Sequence, residues 1–200
     1  MAWRVACNRS PSNRSAKRQD TFVAPSWSWV LVDGPISFNA IKDRTSLTRD
    51  LVPQITDPHQ KGLITITNLR LELAGPDPYG PLSTANLKVS TPVIRGVLGY
   101  DASWNNMGNI ILLKDFSDQN VLGDMFFDIH AERKSLKIVH CVFLFTTNSQ
   151  RAKENEELRG LGLALLPVEG KDAIYTRIGH IQGLRLKFFE EAKVQDITII

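Results

Sequence analysis

From Thr21 to Ile200 apolar and polar side chains alternate with a period of two, broken repeatedly by Gly and Pro. Successive side chains of an extended chain point to opposite faces, so this period predicts strands with one apolar face each. Trp27-Ser28-Trp29 puts two indoles on one side, Asp33-Gly34-Pro35 supplies a turn, and Ile36, Phe38 and Ala40 resume the alternation. A hairpin over about 27–38 is therefore expected. Residues 42–62 are polar and contain Pro53 and Pro58, which predicts a long loop with one short strand near Leu51. Over 63–73 the apolar side changes parity, from Ile64 and Ile66 to Leu69, Leu71 and Leu73. A bulge near Asn68 brings both halves to one core face. Gly75-Pro76-Asp77-Pro78-Tyr79-Gly80-Pro81 predicts a rigid loop, and Leu87, Val89 and Val93 the returning strand, with Pro92 marking a sheet edge.

Further strands are expected at 110–113, 126–131, 136–145, 161–168, 173–181, 184–189 and 194–200. The segment 136–145 is apolar on both faces, as a central strand is. The charged stretch 149–159 is the one segment predicted to be helical. Many short strands, frequent turns and almost no amphipathic helix define an all-β, mainly antiparallel fold, a sandwich or a partly open barrel. It is expected to occupy 21–200 as a single domain, with no internal repeat.

Composition adds little to that fold and removes several functions. At 42% hydrophobic and 22% charged the chain is globular in character. A chain of this length buries roughly 70% of its unfolded surface, so it needs neither disulfide nor metal to fold. No run approaches the ~18 consecutive apolar residues of a membrane-spanning helix. The net charge of +3 is concentrated at the start, where Arg4, Arg9, Arg14, Lys17 and Arg18 stand against Asp20 alone. The rest is nearly neutral, which argues against a nucleic-acid surface spread over the fold. Residues 8–20 lack periodicity, and 1–20 are expected to be a basic, disordered tail.

Cys7 and Cys141 lie far apart with no metal-ligand spacing, and both are expected to be reduced thiols, Cys141 as a small buried hydrophobe. Arg4 interrupts the only apolar stretch of the N-terminus, so a secretory signal is not expected, and the sequons at Asn8 and Asn13 carry no consequence. A cytoplasmic protein is the reading that follows. The alternative is mitochondrial, because residues 1–19 are rich in Arg and Ser and free of acids, although Pro11 opposes an amphipathic transit helix.

Local chemistry is sparse. There is no GxSxG elbow, and Ser26 and Ser28 flank Trp27 with no His or acid nearby in sequence. His140 and Cys141 are adjacent on a strand, so they face opposite ways and form no thiolate pair. His59, His130, His140 and His180 show no HxH or HExxH spacing. Asp115, Asp118, Asp124 and Asp128 form a loose acidic run that misses the calcium-loop pattern. Gly75 to Gly80 has the outer spacing of a phosphate loop but continues with Pro81, and Gly160-Leu161-Gly162 opens a strand where a dinucleotide fingerprint opens a helix. Trp27 and Trp29 have no basic neighbours of the kind a base-stacking platform uses, and are expected to pack in the core.

Ala24-Pro25-Ser26-Trp27-Ser28-Trp29, followed by Val32-Asp33-Gly34-Pro35-Ile36, resembles a signature of fungal heterokaryon-incompatibility (HET) domain proteins, where it lies just downstream of the HET domain. Val30-Leu31 stands where that family usually has Ala-Ser. Leu71-Glu72-Leu73-Ala74-Gly75-Pro76-Asp77-Pro78-Tyr79-Gly80, Gly162-Leu163-Ala164-Leu165-Leu166-Pro167-Val168, Tyr175-Thr176-Arg177-Ile178-Gly179 and Asp196-Ile197-Thr198-Ile199-Ile200 are similar to later stretches of the same family, in the same order. The resemblance covers about 21–200. It implies the C-terminal β-rich region of a HET-type protein, with the TIR-like α/β domain associated with cell-death signalling expected N-terminal to Trp3 and without a counterpart here. The signature residues Pro25, Trp27, Trp29, Asp33, Gly34, Gly75, Asp77, Gly80, Gly162 and Gly179 are expected to be structural, and no catalytic, cofactor-binding or metal-binding residue carries over.

The leading expectation is a non-catalytic interaction module of fungal self/non-self recognition. Its partner would be a protein: a HET-type or NLR-like protein, or the chain itself. Neither membrane nor nucleic acid is expected as a partner. Two alternatives stand beside it: an enzyme whose site is assembled from Asp115–Asp128 with His130, and a nucleic-acid binder that uses the basic tail.

Overall fold

The computed structural model describes residues 4–5, 17–18, 22, 24–28, 32–33, 36–37, 61–78, 81–99, 107–112, 121–129, 138–146 and 157–200. The strands are β1 (Arg4–Val5), β2 (Lys17–Arg18), β3 (Val32–Asp33), β4 (Ile36–Ser37), β5 (Thr65–Leu73), β6 (Leu82–Gly99), β7 (Met107–Leu112), β8 (Val121–Phe127), β9 (Ile138–Thr146), β10 (Arg159–Pro167), β11 (Ile174–Arg185) and β12 (Val194–Ile199). One short helix, α1 (Leu186–Glu190), lies between β11 and β12. The fold is all-β, mainly antiparallel and sandwich-like.

Antiparallel pairings run from β6 to β9, β10, β11, β8 and β7, and from β7 back to β6. β6 serves two assemblies because it is 18 residues long. Its last part, from Val93 to Gly99, belongs to this ring. Its first part carries β5 and β12, and β12 joins the start of β11 in parallel through Ile174–Thr198 and Tyr175–Ile199.

Two cores follow from this arrangement. Ile94, Leu98, Leu122, Met125, Phe127, Val139, Cys141, Phe143, Ala164, Ile178, Ile181 and Leu184 line the first, and Leu186 and Phe189 of α1 close it. Val89, Val142, Leu165, Tyr175, Ile197 and Ile199 make the second, with Trp27, Leu87 and Leu163 packed against it. β9 contributes Cys141 and Phe143 to one and Val142 to the other, which is why its sequence is apolar on both faces. In β11, Gly183 takes a left-handed φ of 67°, which residues with a side chain rarely adopt, and absorbs the extra residue between the Gly162–Ile181 and Gly160–Leu184 pairs.

Four expectations change. Residues 24–28 form a turn closed by the Ser28 N–H on the Pro25 carbonyl (2.8 Å), and β3 and β4 pair with β2 and β1, so among the described residues of 27–38 the pairings are not those of a hairpin. Two short pieces of the segment read as a tail are thereby in strands. Pro92 is buried opposite Val194, at the point where β6 passes from β12 to β9, and this change of neighbour is where a missing N–H is tolerated. Residues 149–156 lie outside the described residues, and 157–159 lead extended into β10. The strand expected over 184–189 gives way at 186–190 to α1, where Leu186 and Phe189, three apart, reach the first core together.

The β5 bulge is present: Ile66 pairs with Val89 and Asn68 with Lys88, leaving Thr67 as the extra residue. It places Ile66, Leu69, Leu71 and Leu73 on one face with Val89, Leu87, Ala85 and Leu82. That face is not core on β5, where these four side chains remain 41–65% exposed.

Candidate functional site

The polar interior is built where the signature turn meets β11. Ser26, 5% exposed, accepts the Arg177 N–H at its Oγ (3.0 Å) and donates its hydroxyl to the Ile200 carbonyl, which also accepts the Ser26 N–H (3.1 Å). One hydroxyl thus ties the turn to β11 and to the C-terminal end of β12. Pro25 is buried beside it, and Trp27 is half-buried against the second core.

Arg177 and Asp128 form an ion pair at 3.1 Å, with side chains 3% and 0% exposed. Asp128 N–H donates to the Ile178 carbonyl (2.9 Å), and Arg18 of β2 donates to the Arg177 carbonyl (2.7 Å). Burial lowers the Arg177 pKa, Asp128 opposes the fall, and the Arg18 charge adds to it. A buried charge needs such a partner, because desolvation otherwise costs more than the fold gains.

The other titratable groups are dispersed. His180 stacks on Phe126 (ring centroids 5.0 Å apart) and lies 3.3 Å from Gln182. His140 pairs across the strands with Arg95 and tilts against Tyr175 (5.2 Å); burial, then the Arg95 charge, lowers its pKa. Burial pushes the Cys141 thiol up to about 12, so it stays protonated and unreactive. Glu157 joins Arg185 (2.5 Å) and Lys187 (2.9 Å); burial works to raise its carboxyl, but hydrogen bonds and charge from these two partners hold it below the ordinary range. This contact and the Leu186 N–H on the Leu158 carbonyl (3.0 Å) fasten α1 to the start of β10.

The residues named for a distributed enzyme site are only partly placed. Asp124 lies in β8 opposite Gln182, and Asp128 faces Arg177, while His59, Asp115, Asp118 and His130 lie outside the described residues. Among the described residues no group of three or more His, Cys, Asp and Glu could hold a metal ion.

The signature residues divide by environment. A Cβ on Gly162 would meet the Val142 carbonyl oxygen and Leu184 Cδ1 at 2.2 Å, and one on Gly179 would meet the Phe126 carbonyl oxygen at 2.3 Å. Both glycines let neighbouring strands come closer than a side chain permits. Gly75 has nothing within 4 Å of that position, and both it and Asp77 are exposed. Asp33 lies in β3; Trp29, Gly34 and Gly80 lie outside the described residues.

The surface that remains is β5. Among the described residues it pairs with β6 alone, and it presents the exposed Ile66, Leu69, Leu71 and Leu73 on one face. On the other face Arg70 forms an ion pair with Glu72, and Thr84 donates to Glu72 (3.0 Å). The Thr84 hydrogen bond first, then the Arg70 charge and its hydrogen bond, hold the Glu72 carboxyl below its ordinary pKa. Sequence reasoning placed the leucines in the core and passed over Arg70 and Glu72. The available signal was their opposite charge two residues apart on one strand face. An apolar stripe beside an open strand edge is suited to binding another chain.

No family model matches the chain, and no curated protein or solved structure matches it. Among the described residues no helix is long and apolar enough to cross a membrane.

Proposed function

We propose that the chain is a non-catalytic interaction module that acts beside HET-type proteins in fungal self/non-self recognition and the cell death linked to it. The observation that carries this reading is the exposed stripe Ile66, Leu69, Leu71 and Leu73 on a strand that pairs with β6 alone among the described residues. The ordered motifs from Ala24 to Ile200 supply the HET-type affiliation. The hydroxyl of Ser26, the carboxylate of Asp128 and the guanidinium of Arg177 are engaged in holding strands together, which favours a structural role for the signature turn.

Co-expression with a fungal HET-domain protein tests the reading. The chain alone should be non-toxic in a fungal host, and should change the death response when the HET-domain protein is present. Nucleotide or NAD turnover by the purified chain, lost on Asp128→Asn, would replace this reading with an enzymatic one.

A further inference from the structure

The regular part of β5 begins after its bulge and runs from Asn68 to Glu72, with a second shift of register against β6 between Glu72 and Leu73. Two antiparallel registers bring most of this segment against a second copy of itself while keeping side chains of like parity opposite each other. One centres on Arg70 and sets the two Arg70 guanidinium groups face to face, with Glu72 opposite Asn68. The other centres on Leu71. It sets Arg70 opposite Glu72 of the second copy and Glu72 opposite its Arg70, while Leu69 faces Leu73 and Leu71 faces Leu71. Opposite charges directly across a strand pair stabilise it and like charges oppose it, so the second register is favoured.

We infer that β5 is a self-association edge: two copies of the chain pair β5 to β5 antiparallel about Leu71, with two crossed Arg70–Glu72 ion pairs on one face and the leucines of both copies on the other. This deepens the interaction-module reading and rests on it, naming the partner as a second copy. Backbone N–H and C=O groups along the open edge gain partners, and the exposed leucines gain apolar neighbours across the seam. The two-fold relation makes the contact self-complementary and closed, giving a dimer and not a fibre.

Sedimentation equilibrium of the purified full chain tests the register through charge exchange. The wild type should show a concentration-dependent dimer. Arg70→Glu alone sets Glu against Glu72, and Glu72→Arg alone sets Arg against Arg70, so each should weaken the dimer by roughly tenfold or more. An equimolar mixture of the two variants should recover the dimer as a heterodimer, and the double variant Arg70→Glu/Glu72→Arg should recover it as a homodimer. At a concentration where wild type and variants are all monomeric, circular dichroism and the unfolding midpoint should stay unchanged, because both side chains are on the surface. A wild type that stays monomeric overturns the inference, as does a dimer indifferent to these substitutions or not recovered by charge exchange. Neither result bears on the co-expression assay, so self-association and HET-type function fail separately.

Discussion

β5 and β10 are both nine residues long and both rich in leucine, yet among the described residues β10 has a strand on each side and β5 on one side only. β10 pairs with β9 on one side and β11 on the other. It interrupts its leucines with Gly160 and Gly162, where a Cβ would come within 2.2 Å of the Phe145 and Val142 carbonyl oxygens. β5 interrupts its leucines with Arg70 and Glu72, and pairs with β6 alone among the described residues. Alternation therefore reports which face of a strand is apolar. The residues between the apolar ones report whether another chain segment comes close, small ones admitting it and charged ones keeping water or a partner at the surface.

The largest test of the enclosed region is Arg177→Ala, which removes the guanidinium paired with the buried Asp128 carboxylate. Stability should fall by about 3–5 kcal/mol, measured by denaturant unfolding. Replacing both, as Arg177→Met with Asp128→Leu, should recover most of it. A small effect of the single substitution would mean that the pair is not buried as described.

Gly162→Ala and Gly179→Ala come next, each destabilising by about 1–3 kcal/mol through overpacking, whereas Gly75→Ala should stay within about 0.5 kcal/mol. Equal effects at all three would erase the distinction between signature glycines that admit a neighbouring strand and one that does not.

The strands were legible where both neighbours are apolar, as at β9, and the Thr67 bulge followed from the change of parity between Ile66 and Leu69. What period two cannot supply is the pairing partner. β3 and β4 join residues of the basic N-terminal segment, and α1 takes the place of a strand because Leu184, Leu186 and Phe188 alternate while Leu186 and Phe189, three apart, fit one face of a helix. Of the site, Asp128 was singled out as an acid, but its partner was not, because Arg177 lies 49 residues away. Alternation carries no information about what covers a face, so it does not separate the exposed leucines of β5 from core.

His140 gives a pH test. Its folded pKa lies below the ordinary imidazole value of 6.5, because burial and Arg95 disfavour the cation. The unfolded chain therefore binds the proton more readily. The contribution of His140 is fully present above pH 6.5 and is lost as pH falls below it toward the folded pKa. The unfolding midpoint should drop between pH 7 and 5, and His140→Gln should flatten that slope; an unchanged slope would place the acid sensitivity elsewhere. Cys141 should resist alkylation in the native protein and react on unfolding, and rapid native labelling at this residue would contradict its burial.

The most direct measurement is the unfolding midpoint of the Leu69→Ser/Leu71→Ser/Leu73→Ser variant at a protein concentration low enough to keep the chain monomeric. These three side chains are half-exposed on an open strand, so their loss removes little of the core. The account predicts a midpoint close to that of the wild type together with loss of concentration-dependent association. A cooperative collapse of stability in the monomer would contradict it, because β5 would then belong to the core and not to an interface.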